Sequence, residues 1–140
     1  MKKAIWILSF VALLAVLSVN SANAMPQFFA AFRAKYLKTD DQSETGKALK
    51  DQVDKVKCNV CHGKDDKGID SKKVRNAYGE ALDKLLSKED VKNKDKIQEA
   101  LDKVAEEKVS ETEDAPTFGD RLAGGKLPSQ EEEVEQTASK

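Results

Sequence analysis

The sequence is poor in the side chains on which most catalytic and metal sites depend, with one histidine, two cysteines and two methionines among 140 residues. His62 is the only imidazole available to a catalytic triad. Because two residues separate Cys58 from Cys61, a disulfide between them would close a very small loop and contribute little stability. The chain also has no internal repeat, no glycine-rich phosphate loop and no serine-nucleophile motif. The sequence therefore gives no support to nucleotide binding or to hydrolysis by an activated serine.

The first residues are typical of an export signal. Lys2 and Lys3 precede an apolar run from Ala4 to Val19, and Ala22-Asn23-Ala24 supplies the small residues of a cleavage site. The apolar run is shorter than the ~20 residues that span a bilayer, and no cysteine near the cleavage site offers a lipid anchor. We therefore expect a signal peptide over residues 1–24, cleavage near Ala24, and a periplasmic or secreted protein without a membrane anchor.

The expected mature chain has room for one small domain, which we place at residues 25–128. Residues 129–140 contain four glutamates and almost no apolar side chain, so we expect a disordered acidic tail there. The loss of Lys2 and Lys3 would make the mature chain mildly acidic, which argues against nucleic acid or an anionic membrane as its main partner. Charged residues make up 35% of the sequence, so a core built from side chains alone is expected to be thin.

Apolar residues recur at helical spacing almost throughout, and no segment alternates with period two for long enough to predict a strand. The sequence therefore predicts an all-α fold. Four main helices are expected: residues 26–38, a second helix capped near Asp40, Asp41 or Ser43 that runs into Cys58, a third that begins near Ser71, and a fourth over residues 93–108. The segment 63–68 is expected to be an exposed loop.

The pentapeptide Cys58-Asn59-Val60-Cys61-His62 contains both cysteines and the only histidine. Two cysteines three positions apart, with histidine directly after the second, match the pattern of covalent haem c attachment. On one helical turn both thiols share a face, and the next residue can present its imidazole to the iron. The motif therefore predicts one covalently bound haem.

Two other interpretations of this motif are open. A zinc site normally needs four ligands, or three and a water, and Cys58, Cys61 and His62 are close together for a tetrahedral ion. A thioredoxin-like dithiol is expected in a βαβ context, which the helical pattern does not provide. Both interpretations are weaker than haem attachment.

In these residues the chain resembles the c-type cytochromes, in particular small exported monohaem proteins. The match is close over Cys58–His62 and looser over the preceding helix and over Arg75-Asn76-Ala77-Tyr78-Gly79. The resemblance implies a small domain of about four helices packed around one haem c, bound through Cys58 and Cys61 with His62 as proximal iron ligand. It also implies one-electron transfer to redox partner proteins, without catalysis.

The second axial position has no obvious ligand. Small c-type cytochromes commonly use a methionine downstream of the motif, and this chain has none after Met25. Met25, through its sulfur or its amine, Lys126 and Tyr78 are candidates, and an open position is the alternative. A filled position favours the electron carrier, whereas an open one favours a haem protein that binds a small gaseous ligand or peroxide.

Overall fold

A computed structural model of the chain describes residues 26–129. The predicted signal peptide, Met25 and residues 130–140 of the predicted tail lie outside this range. Within it no helix is both long and apolar enough to cross a membrane.

The described residues form five α-helices, two 3₁₀ helices and one two-stranded sheet. In chain order these elements are α1 (Pro26–Tyr36), α2 (Glu44–Val56), a 3₁₀ helix (Lys57–Val60), β1 (His62–Lys64), β2 (Asp70–Arg75), α3 (Ala77–Leu85), a second 3₁₀ helix (Lys88–Lys92), α4 (Lys94–Glu106) and α5 (Phe118–Ala123).

Side-chain caps explain where four of the α-helices begin. Ser43 accepts a hydrogen bond from the Gly46 amide at the start of α2, which confirms one of the caps predicted there. Asn76, Asn93 and Thr117 act in the same way for α3, α4 and α5. Each cap satisfies one of the amides that have no partner within the first turn of a helix.

The prediction of an all-α domain of about four helices is wrong. Strands β1 and β2 pair in antiparallel fashion, with Gly63 opposite Ser71 and Lys64 opposite Asp70. Residues 70–75 are therefore extended, and the third helix starts after Asn76 rather than near Ser71. The fold is a helical domain with a small β-hairpin inserted between the Cys58–His62 motif and α3.

The hairpin depends on its turn rather than on apolar side chains. The Asp65 carboxylate accepts hydrogen bonds from the amides of Lys67 and Ile69, both at 3.0 Å. Gly68 has a φ of 73°, a conformation that glycine adopts without steric cost. Since β2 reads Asp-Ser-Lys-Lys-Val-Arg, with Val74 as its one apolar residue, hydrophobic periodicity gives no sign of this strand.

The core is a continuous cluster of buried side chains from all five α-helices and the motif. Helix α4 packs against α1, α3 and α5. The rings of Phe32, Tyr78 and Phe118 form a row at its centre, with centroid separations of 5.9 and 5.3 Å. The other members are Leu49, Val53, Val60, Ala81, Leu82, Leu86, Ile97, Ala100, Leu101, Val104, Leu122 and Leu127. This cluster is larger than the thin core that the charged composition suggested.

The segment after α5 folds back over the domain. Gly125 packs against the backbone of Thr45, and its carbonyl accepts a hydrogen bond from the Gln52 side chain at 2.6 Å. Leu127 and Pro128 are buried. The Ser129 hydroxyl accepts a hydrogen bond from the Tyr78 amide at 2.8 Å. Ser129, expected in the tail, therefore contacts the first turn of α3.

Two substitutions at Tyr78 test the aromatic row. The Tyr78 hydroxyl is buried and makes no hydrogen bond of 3.5 Å or less among the described residues, with the Tyr36 side chain as a more distant polar neighbour. Tyr78→Phe therefore keeps the ring and removes a poorly satisfied polar group. We expect the free energy of unfolding to stay the same or rise by about 1 kcal/mol. Tyr78→Ala should lower it by about 3–5 kcal/mol. Urea unfolding followed by circular dichroism measures both. A clear loss of stability in Tyr78→Phe would contradict this account.

Candidate functional site

The Cys58–His62 motif begins where α2 ends. Lys57 has a φ of 50° and turns the chain out of α2 into the 3₁₀ helix. The Cys61 amide donates to the Cys58 carbonyl at 3.2 Å, a hydrogen bond between residues i+3 and i. Side chains three positions apart eclipse one another in a 3₁₀ turn. The turn therefore brings the backbone of Cys61, which caps the 3₁₀ helix, next to that of Cys58.

The two thiols are free and differ in their surroundings. Cys58 is exposed and Cys61 is partly buried. Burial, and secondarily the Cys58 thiol, raise the pKa of Cys61 to about 12, while Arg75 acts in the opposite direction. At neutral pH Cys61 is therefore a protonated thiol rather than a thiolate.

The orientation of the His62 ring is set by β2. Its Nδ1 lies 3.1 Å from the carbonyl oxygen of Val74. A carbonyl can only accept, so this hydrogen bond requires a proton on Nδ1, and the neutral ring then keeps its lone pair on Nε2. A histidine that ligates a metal through one ring nitrogen commonly donates the other N–H to such a carbonyl.

Asn76 connects the motif to α3. Its side-chain amide nitrogen lies 3.1, 3.0 and 3.2 Å from the carbonyl oxygens of Asn59, Val60 and His62. Its backbone amide donates to the Cys61 carbonyl at 3.1 Å. Its side-chain oxygen accepts from the Gly79 amide at 2.9 Å. Asn76 thus bonds to four consecutive carbonyls of the motif while it caps α3.

Gly79 permits the close contact between α3 and the motif. A Cβ atom at this position would collide with the carbonyl group of Cys61 and would lie 3.3 Å from the Cβ of Arg75. The obstacle is backbone, which cannot move aside without disturbing the motif. Only glycine fits here without displacing the chain.

These residues fit a covalently bound haem. Two reduced thiols can each add across a vinyl group, and an imidazole with its Nε2 lone pair available follows directly in the chain. Cys58, Cys61 and His62 would hold the group, which would supply a redox-active iron.

The competing interpretations find less support. Among residues 26–129 no three His, Cys, Asp or Glu side chains are arranged to hold a metal ion, so nothing there favours a zinc site. Reactive dithiols gain acidity from a helix N-terminus. Cys58 instead follows the C-terminal end of the 13-residue helix α2.

Two of the candidates for the second axial ligand, Lys126 and Tyr78, lie among the described residues. Met25 lies outside the described residues. Lys126 is exposed in the turn after α5, and Tyr78 is a core residue between Phe32 and Phe118. Two cavities, of about 250 and 550 Å³, are lined by other residues than Cys58, Cys61 and His62.

In comparisons with protein-family models, curated proteins and solved structures, none matches this chain. The contacts of the site are accordingly the main guide to its function.

The sequence predicts Cys58, Cys61 and His62 as site residues, and it gave little sign of the residues that hold them in the structure. Val74 acts through its backbone carbonyl, which carries no sequence signal. Asn76 and Gly79 lie in the segment Arg75–Gly79, whose one sequence signal is its likeness to c-type cytochromes.

Substitution of Gly79 tests the contact with the motif. Gly79→Ala adds a methyl group against the Cys61 carbonyl, and we expect the free energy of unfolding to fall by about 1–3 kcal/mol. Gly46→Ala is the matched control, since Gly46 is also helical but faces the exposed side chain of Asp41, which can move. The control should change the free energy of unfolding by less than about 1 kcal/mol, because the gain in helix propensity offsets the displacement of the Asp41 carboxylate from the Ser43 amide. Equal effects of the two substitutions in urea unfolding would refute the close contact.

Proposed function

We propose that this chain is an exported, periplasmic or secreted c-type cytochrome with one haem, and that it transfers single electrons between redox partner proteins. The observation that carries the proposal is the hydrogen bond from His62 Nδ1 to the Val74 carbonyl. It fixes the tautomer that an iron ligand needs, in the residue that directly follows two unpaired thiols.

In this proposal the chain does three things. Cys58 and Cys61 would anchor a haem through two thioether bonds, each S–H having been added across one vinyl group with no oxidant or reductant required. His62 presents Nε2 to the iron. The contacts of Val74, Asn76 and Gly79 hold the motif in one conformation. A haem bound here would supply a reversible Fe²⁺/Fe³⁺ couple.

A second function has one observation in its favour. Neither a methionine nor a second histidine occurs among residues 26–129, so the usual strong ligands for the second axial position are missing from the described domain. An iron with an open position binds small gaseous ligands or peroxide. We rank this second, because the chain has no second histidine to act on a bound peroxide.

Covalent attachment is the first test. The mature protein made in cells that assemble haem c should be heavier by the mass of one haem and should keep its colour after acid–acetone extraction. Cys58→Ala with Cys61→Ala should lose both properties, and mass spectrometry and absorption spectra report them. A colourless wild-type protein with free or disulfide-bonded cysteines would show that the proposal is wrong.

The second axial position is the next test. Without methionine sulfur on the iron, we expect the oxidised protein to lack the red sulfur-to-iron charge-transfer band. The reduced protein should bind carbon monoxide readily unless a nitrogen ligand occupies the site. Absorption spectra measure both.

Two variants identify the ligand in that experiment. A sulfur band that disappears in Met25→Ala would overturn the expectation and make Met25 the ligand. Carbon monoxide binding that is confined to acid pH indicates a titrating nitrogen, and Lys126→Ala should then permit binding at neutral pH.

A further inference from the structure

We propose that Asn76 is a positioning residue for the iron ligand, and that its side-chain amide holds the Cys58–His62 turn so that His62 keeps a fixed orientation toward a bound haem. This inference rests on the proposed function. The inference adds to the proposed function the residue that determines the geometry of His62.

The contacts of Asn76 exceed what a helix cap requires. A cap needs one side-chain acceptor, and Ser43 and Thr117 fulfil this role with a hydroxyl group. Asn76 caps α3 with its Oδ1 and directs its Nδ2 to three carbonyls of the motif. An amide nitrogen has two hydrogens, so at least one of them is shared between two acceptors. This second half of the side chain serves the motif and not the helix.

The acceptors cover the whole interval from the first cysteine to the histidine. The carbonyls of residues 59, 60 and 62 bond to the Asn76 side chain, and that of Cys61 bonds to its backbone amide. Asn59 and Val60 lie at the end of a short 3₁₀ helix, and His62 begins a three-residue strand. Neither element offers these carbonyls a regular helical ladder. Asn76 alone supplies the hydrogen-bond donors for these carbonyls that a regular helix would supply from successive residues.

Two hydrogen bonds fix His62, one at its backbone and one at its ring. The backbone carbonyl of His62 accepts a hydrogen bond from Asn76, and the His62 ring donates through Nδ1 to the carbonyl of Val74. Val74 precedes Asn76 by two residues. Backbone and ring are therefore fixed by the same short segment at the junction of β2 and α3. Asn76 is partly buried, and hydrogen bonds shielded from water are electrostatically stronger. Without the amide the turn can relax and carry the ring with it.

Asn76→Ser separates the two roles. Serine is as good a helix cap as asparagine, but its hydroxyl is shorter and has one hydrogen, so it cannot serve three carbonyls. Asn93→Ser is the matched control, since Asn93 caps α4 by accepting from the Lys96 amide and lies away from the motif. Both variants keep a cap, and only the first loses the contacts to the motif.

Hydrogen exchange and the reduction potential are measured on the proteins as purified. In Asn76→Ser we expect the amides of residues 58–64 to exchange about tenfold faster than in the wild type, as the loss of several hydrogen bonds implies. We also expect a shifted reduction potential, because the orientation of the axial ligand tunes the iron. Asn93→Ser should match the wild type in both measurements.

The outcomes keep the two proposals apart. A haem-containing protein whose exchange and potential are unaffected by Asn76→Ser, or affected equally by Asn93→Ser, overturns the role of Asn76 and leaves the proposed function intact. A wild-type protein without covalent haem, in which Asn76→Ser still accelerates exchange in the motif, overturns the proposed function and retains Asn76 as the residue that holds the turn.

Discussion

The close approach of the first turn of α3 to the Cys58–His62 motif is the constraint on which the site depends. It requires the absence of a side chain at Gly79 and the presence of an amide at Asn76. Helix α3 is in turn fixed by Tyr78, which is fully buried between Phe32 and Phe118. The position of the motif is therefore set by the core, through Asn76, Tyr78 and Gly79 at the start of one helix.

This arrangement separates two kinds of order. The core is apolar and close-packed, so it fixes where the helices lie. The motif has an exposed cysteine and few apolar side chains, so it is ordered by hydrogen bonds to backbone groups instead. Val60 joins the two, since it lies between the cysteines and is buried in the core. A reactive segment can in this way remain accessible at one side and rigid at the other.

The sequence predicted the helices better than the hairpin. Helices α1, α2 and α4 show apolar residues at helical spacing, and their bounds lie close to those expected. Helices α2 and α4 also begin at side-chain caps. The strands were not predicted, because β2 is polar and its pairing is fixed by the Asp65 carboxylate and by Gly68. A hairpin held by turn chemistry has no hydrophobic period to detect.

The candidate site residues stand out in the sequence, whereas the residues that hold them do not. Cys58, Cys61 and His62 have a spacing with few other uses. The contribution of Val74 is a carbonyl group, which every residue possesses. Asn76 could have been identified only as a cap, because its contacts with residues 59–62 require the hairpin to bring it back to the motif.

The hydrogen bonds around the motif join residues that are close in the sequence. His62 and Val74 are 12 residues apart, and Asn59 and Asn76 are 17 apart. Contacts elsewhere in the domain join residues far more distant, 65 apart for Tyr36 and Leu101 and 73 apart for Gln52 and Gly125. Loops that close over short separations lose less entropy and form faster. The hydrogen bonds within the segment from Lys57 to Gly79 can therefore form before the two ends of the domain come into contact.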